Sequence, residues 1–306
     1  MGRDLRFIPD GGALVEVTCR TIHGRFLFRP SLELNEIIVG VLARAQQRHP
    51  VDICSPVFMS NHMHLLLWVS DAQRLADFME YTNSNLAREV SRLTGWDVKI
   101  FADRYRLIVV SNEEHAQLER LRYHLSHGCK ENLVARLSEW PGVHLIHAVE
   151  NDGVLKGYWF DRTQEYAARR RREETEPLQY ATAEELVLSP LPCWKHLPPE
   201  EYKRRLLKMR DQIEAEAAAA RAKTGAQPLG PKAILAQHPH HKPDSMKKSP
   251  KPRIHAVSHA TRWWFYEGYS WFVAAYRTAA EKLRAGDRMV AFPAGSFPPA
   301  LPFVGG

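Results

Sequence analysis

Val57-Phe58-Met59-Ser60-Asn61-His62-Met63-His64-Leu65-Leu66-Leu67-Trp68-Val69 reads as a strand, a tight turn and a second strand. Successive strand side chains point to opposite faces, so His62 and His64 emerge on one side while Met63 and Leu65 pack on the other. Two imidazoles at that spacing on a rigid strand can grip one metal ion. A histidine pair alone is more often polar packing, so the reading depends on what the rest of the chain brings to it.

Working outward, Ala13 to Cys19 alternates apolar and polar residues and predicts a strand. Ser31 is a candidate N-cap for a helix carrying Leu34, Ile37, Ile38, Val41 and Leu42 at helical spacing, which His49-Pro50 stops. Downstream, Asp71 caps a helix whose face is Leu75, Phe78, Met79, Thr82, Leu86, Val90 and Leu93, closed by Gly95. Tyr105 to Val110 is a β-branched strand, and another helix runs from Glu114 to about His127. The order strand, helix, strand, strand, helix, strand, helix is the split βαβ pattern. It predicts an α+β fold: a ferredoxin-like antiparallel sheet with helices on one face, plus a mainly helical C-terminal extension.

The last helix lies beyond the minimal fold. Its core stripe is Leu118, Leu121 and Leu125, and a different stripe holds Arg120, Tyr123, His127 and Lys130. Tyr123 and His127 are one turn apart. A phenol with a pKa near 10 needs help to attack anything at neutral pH, and a bound cation beside its electrophile would supply that help. His62, His64 and the candidate third ligand His127 make a three-ligand set with open positions, as expected of a catalytic ion.

Composition frames this chemistry. The 306 residues carry a net charge of +7 at a sequence pI of about 9.2, which favours polyanionic partners, nucleic acid first. No apolar run reaches membrane-spanning length and the N-terminus lacks an apolar signal core, so a cytoplasmic protein without a membrane partner is expected. Cys19, Cys54, Cys129 and Cys193 show no CxxC pairing and read as reduced thiols.

Asn61 to Leu67 (NHMHLLL), the run Tyr123-His124-Leu125-Ser126-His127 continuing to Val134, and Ser138-Glu139-Trp140-Pro141 resemble the single-tyrosine HUH transposases, with the REP-associated tyrosine transposases among them. The resemblance covers roughly residues 13 to 145. It implies that His62 and His64 hold a divalent cation (Mg²⁺ or Mn²⁺), that His127 completes the site, and that Tyr123 attacks a phosphate of single-stranded DNA. It further implies hairpin-bearing DNA as partner, a 5′-phosphotyrosine intermediate, and a homodimer in which one subunit's tyrosine helix serves the other's histidines. That last arrangement would leave the helix loosely attached to its own sheet. Two departures stand out. His127 replaces the usual amide, and His127-Gly128 replaces a frequent Asn-Pro. Three imidazoles also suit Mn²⁺, Co²⁺ or Zn²⁺ better than Mg²⁺.

Two other readings stay open: a domesticated, non-mobile hairpin-binding protein of the same fold, and a metal hydrolase using water. Arg104 and Arg106, flanking the last core strand, join Arg120 and Lys130 as candidate nucleic-acid contacts. His23, His115, His124 and His144 read as surface or structural histidines. The domain reading is 1–145 for the transposase-like domain, 146–224 for a basic helical extension, 225–257 for a Pro/His/Lys-rich linker, and 258–306 for an aromatic helix and Pro-rich tail.

Overall fold

The computed structural model describes residues 5–150, 154–176, 178–244 and 252–299. Part of the expected linker (245–251) and the end of the Pro-rich tail (300–306) lie outside the described residues. The N-terminal half holds β1 (Ala13–Arg20), α1 (Leu32–Arg48), β2 (Asp52–Met59), β3 (His62–Val69), α2 (Ala72–Thr94), β4 (Arg106–Val110) and α3 (Glu114–Ser126). The extension adds α4 (Leu145–Glu150), β5 (Val154–Phe160), α5 (Arg162–Arg170), β6 (Ala181–Val187), α6 (Pro199–Thr224), α7 (Pro231–Ala236), β7 (Ile254–His255) and α8 (His259–Arg284). Among the described residues, no helix is long and apolar enough to cross a membrane.

The main sheet has the order β2-β3-β1-β4-β7. Its first four strands are antiparallel and in the ferredoxin-like arrangement, so the sequence order of elements is the observed one. The fifth, β7, pairs parallel to β4 and covers an edge that would otherwise be open. Local signals set the helix ends. The Ser31 side chain accepts from the Leu34 amide at 3.2 Å, Asp71 accepts from Arg74 at 2.7 Å, and Gly95 takes the left-handed conformation at φ 65°.

Strand alternation divides the core into two layers. Val15, Val17, Met63, Leu65 and Leu67 face one way, into a cluster with Leu42 of α1 and Phe78 and Met79 of α2. Leu14 and Leu66 face the other way, against Leu121 and Leu125 of α3 and Leu206 and Ile213 of α6. The extension thus closes over the second face, where the histidine pair emerges. The stretch Val143 to Glu150 has the apolar run of a strand in its sequence but folds mostly as α4. Its buried His144 accepts from the Ile146 amide at 3.2 Å and so starts the helix from its own side chain.

The β5–β6 hairpin packs on α1 by direct backbone approach. A methyl on Gly157 would lie 2.1 Å from the Glu36 carbonyl oxygen and 2.7 Å from the Gly40 amide. Neither backbone atom can retreat without unwinding α1. Gly157→Ala is therefore expected to lose about 3 kcal/mol of stability, read from urea unfolding. An unchanged midpoint would mean that the hairpin docks more loosely than described.

Candidate metal centre and nucleophile

The second sheet face places the two histidines beside three residues of β1. Register puts Thr18 opposite His64 and Arg20 opposite His62, with Glu16 one step further on the same face. The ring centroids of His62 and His64 are 5.0 Å apart. His127 lies 4.4 Å from His64 and 5.8 Å from His62 by the same measure. One ring nitrogen from each of the three falls within 4.8 Å of the others.

The donor set suits a cation because each Nδ1 already has an acceptor. His62 Nδ1 is 2.7 Å from Asn61 Oδ1, and His127 Nδ1 is 3.2 Å from the His124 carbonyl oxygen. His64 Nδ1 is 2.9 Å from Glu16 Oε1 and 3.1 Å from Thr18 Oγ1. A proton on each Nδ1 leaves each Nε2 lone pair free, the arrangement ligating imidazoles need. Burial also pushes all three pKa values down, His64 to about 3, with the neighbouring rings lowering His62 and His127 further. The rings are therefore neutral, as ligands must be, well below neutral pH. His64→Ala is expected to weaken Mn²⁺ binding by about a hundredfold or more, measured by calorimetric titration of the full chain.

Helix α3 carries the phenol. It stops at Ser126, one residue short of the expected end. His127 sits at the cap with extended φ/ψ of −59° and 140°, and Gly128 follows at φ 93°. The turn keeps His127 against the tyrosine: the Tyr123 ring lies 4.7 Å from His127 and 5.7 Å from His64. The phenol, half-buried, sits between the Arg120 guanidinium at 4.7 Å and the Lys130 ammonium at 5.1 Å. Burial raises its pKa, and Arg120 opposes that rise. His62, His64, Tyr123 and His127 thus converge within one chain.

This cluster opens into a cavity of about 1650 Å³. Its cations (Arg6, Arg20, Arg104, Arg106, Lys130 and Arg253) outnumber its carboxylates Asp103 and Glu131, while its Glu16 is already paired to Arg120. Arg104, Arg106 and Lys130 are exposed in it, whereas Arg120 is half-buried. Tyr123 and Lys130 also line a second cavity of about 600 Å³ between α3 and α6. The extension builds part of the wall. Arg25 binds the His240 carbonyl, the Phe26 amide donates to the His241 carbonyl at 2.8 Å, and Phe265 and Tyr269 of α8 reach the rim. The aromatics of α8 divide: Phe265 and Phe272 are buried against Phe7, while Trp263, Trp264 and Trp271 are exposed. Four consecutive arginines, Arg169 to Arg172, are solvent-facing, with Arg169 paired to Glu165 and Arg171 to Glu173.

Glu16 and His124 went unnoticed as site residues in the sequence. Glu16 is 1% exposed and His124 is fully buried. The two ring nitrogens of His124 have no hydrogen-bond partner, and its Nε2 lies 3.7 Å from Glu16 Oε1. The available signal was the alternation of β1, which put Glu16 on its polar face.

The chain is similar in structure to solved transposases. One is a REP-associated tyrosine transposase bound to a REP hairpin: 16% identity, TM-score 0.39, covering 50% of this chain and 87% of that one. Another is a chain from Deinococcus radiodurans described as a transposase: 15% identity, TM-score 0.29, covering 40% of this chain and 95% of that one. No protein-family model and no curated protein matches the chain. The functional reading rests on the site's own residues.

Proposed function

We propose that the protein is a metal-dependent DNA transposase that cuts and rejoins single-stranded DNA at hairpin-bearing ends through a 5′-phosphotyrosine intermediate. One observation carries the reading: a half-buried phenol stands beside three imidazoles whose ring nitrogens converge within 4.8 Å, on the wall of a large cationic cavity. A divalent ion held by His62, His64 and His127 would neutralise charge on the scissile phosphate and favour the phenolate. Mn²⁺ fits this nitrogen-rich set better than Mg²⁺.

The chain's own residues account for the rest. Arg120 and Lys130 flank the Tyr123 ring, and Arg120 favours its ionised form against the effect of burial. Arg104, Arg106 and Lys130 offer charge to the DNA backbone. The Tyr123 oxygen forms a bond to phosphorus as the bond from phosphorus to the 3′-oxygen breaks. The phenolic proton goes to solvent in the cavity, and the departing 3′-oxygen takes up a proton. One phosphoester replaces another, so rejoining by a 3′-hydroxyl needs no ATP.

Helix α3 is fixed to its own sheet through buried Leu121, Leu125 and the Arg120–Glu16 pair, so we read the site as served by its own tyrosine. The homodimer expected from the resemblance is then left the role of holding two DNA ends together. The test is incubation of the full chain with Mn²⁺ and single-stranded oligonucleotides bearing hairpins, followed by a denaturing gel. A protein–DNA adduct is expected. Tight hairpin binding without any adduct would support the domesticated-binder reading instead.

A further inference from the structure

One buried carboxylate touches both halves of the site. Glu16 sits in the centre of β1, between β3 and β4, at 1% exposure. Its Oε1 accepts from His64 Nδ1 at 2.9 Å, and its Oε2 pairs with the Arg120 guanidinium. Arg120 in turn lies under the Tyr123 ring, three residues along the same helix. A charged carboxylate at that depth is stabilised by both partners. No other carboxylate among the described residues bonds a ring nitrogen of His62, His64 or His127.

We propose that Glu16 is a positioning residue. It fixes His64 as the Nδ1–H tautomer, aims Nε2 at the cation, and through Arg120 sets where the Tyr123 helix stands relative to that cation. The inference rests on the reading of His62, His64 and His127 as a cation site. Its logic is that of a carboxylate behind a ligating imidazole: the hydrogen bond removes the wrong tautomer and raises the basicity of the other nitrogen. The second contact runs to the helix that carries Tyr123. It makes one side chain responsible for both ligand orientation and placement of the nucleophile, so the two functions are adjusted together. The buried His124 ring brings its Nε2 to 3.7 Å from the same oxygen, too far for a hydrogen bond.

The test separates the two arms in the full chain, with Mn²⁺ alone as the probe and the electron paramagnetic resonance signal of free Mn²⁺ as the readout. Glu16→Gln, nearly the same shape, is expected to weaken Mn²⁺ binding by about tenfold to a hundredfold. Arg120→Met, which cuts only the arm to the helix, is expected to change it by less than threefold while slowing adduct formation on hairpin oligonucleotides at saturating Mn²⁺. Equal losses in both variants, or a Glu16→Gln chain within twofold of the parent, would overturn the proposal. A second measurement needs no variant. Nitrogen-15 correlation spectra of the metal-free parent are expected to show the His64 proton on Nδ1, and a proton on Nε2 would overturn the assignment. A parent chain that takes up neither Mn²⁺ nor Zn²⁺ would overturn the cation reading itself, a failure distinct from the other outcomes.

Discussion

Tyr123→Phe is expected to abolish the covalent DNA adduct outright while leaving Mn²⁺ binding within twofold of the parent. The substitution removes one oxygen and keeps the ring that packs 4.7 Å from His127 and 5.7 Å from His64. Stability should therefore hardly change, because the ring's contacts with Arg120 and Lys130 are made by its face. No phosphoester to protein can form without that oxygen. Strand cleavage as a whole should fall by about a thousandfold or more, to what adventitious water at the cation can do, the scale on which enzymes depend on a positioned nucleophile. The measurement is the denaturing gel described above, run on both chains with equal bound Mn²⁺. Cleavage that continues at the parent rate in Tyr123→Phe would sink the tyrosine mechanism and favour hydrolysis by water.

The metal-free protein is expected to lose about 4 kcal/mol of stability between pH 7 and pH 5, from His64 and His144 alone. Burial lowers the pKa of each to about 3, with Arg20 adding to the shift at His64 and His147 and His124 adding to it at His144. In the unfolded chain both would titrate near 6.5. Between pH 6.5 and pH 3 the unfolded chain therefore binds protons that the folded chain refuses. Stability falls with pH by about 1.4 kcal/mol per unit for each group across that window. Against a typical total of about 5–15 kcal/mol this is a large fraction. Urea midpoints taken in the presence of a chelator at pH 7, 6 and 5 would read it. His144→Gln should remove about half of the slope while sparing the cation site. A flat profile from pH 7 to pH 5 would mean that water reaches these rings in solution.

Burial is what makes the pH effect large. Helix α6 and the segment after Trp140 pack on the second sheet face, the face that carries the imidazoles, and His64, His124, His127 and His144 are buried. Trp140 fastens that cover by donating its indole N–H to the Phe58 carbonyl at 2.9 Å. Burial of polar groups at this density is expensive unless they have partners, and it concentrates where chemistry needs shifted groups.

By itself the sequence determined the order of the first seven elements, their caps, and the face on which His62 and His64 stand. These are local matters. A two-residue alternation, a Ser or Asp at a helix start and a Gly at its end act within a few residues, wherever the rest of the chain goes. It also gave Tyr123 and His127 as neighbours one turn apart, because helical spacing is local too. The tertiary structure decided what lies behind and above that pair. Glu16 was a polar residue on a strand until β1 paired with both β3 and β4 and α3 settled on the same face. His124 and His144 were ordinary histidines until the tertiary fold buried them. Val143 to Glu150 read as extended because six helical residues are too few to show a period, and packing chose the helix. The contact of Gly157 with α1 joins residues more than a hundred positions apart. Burial and charge pairing at such separations depend on which surfaces meet, and no spacing along the chain encodes that directly.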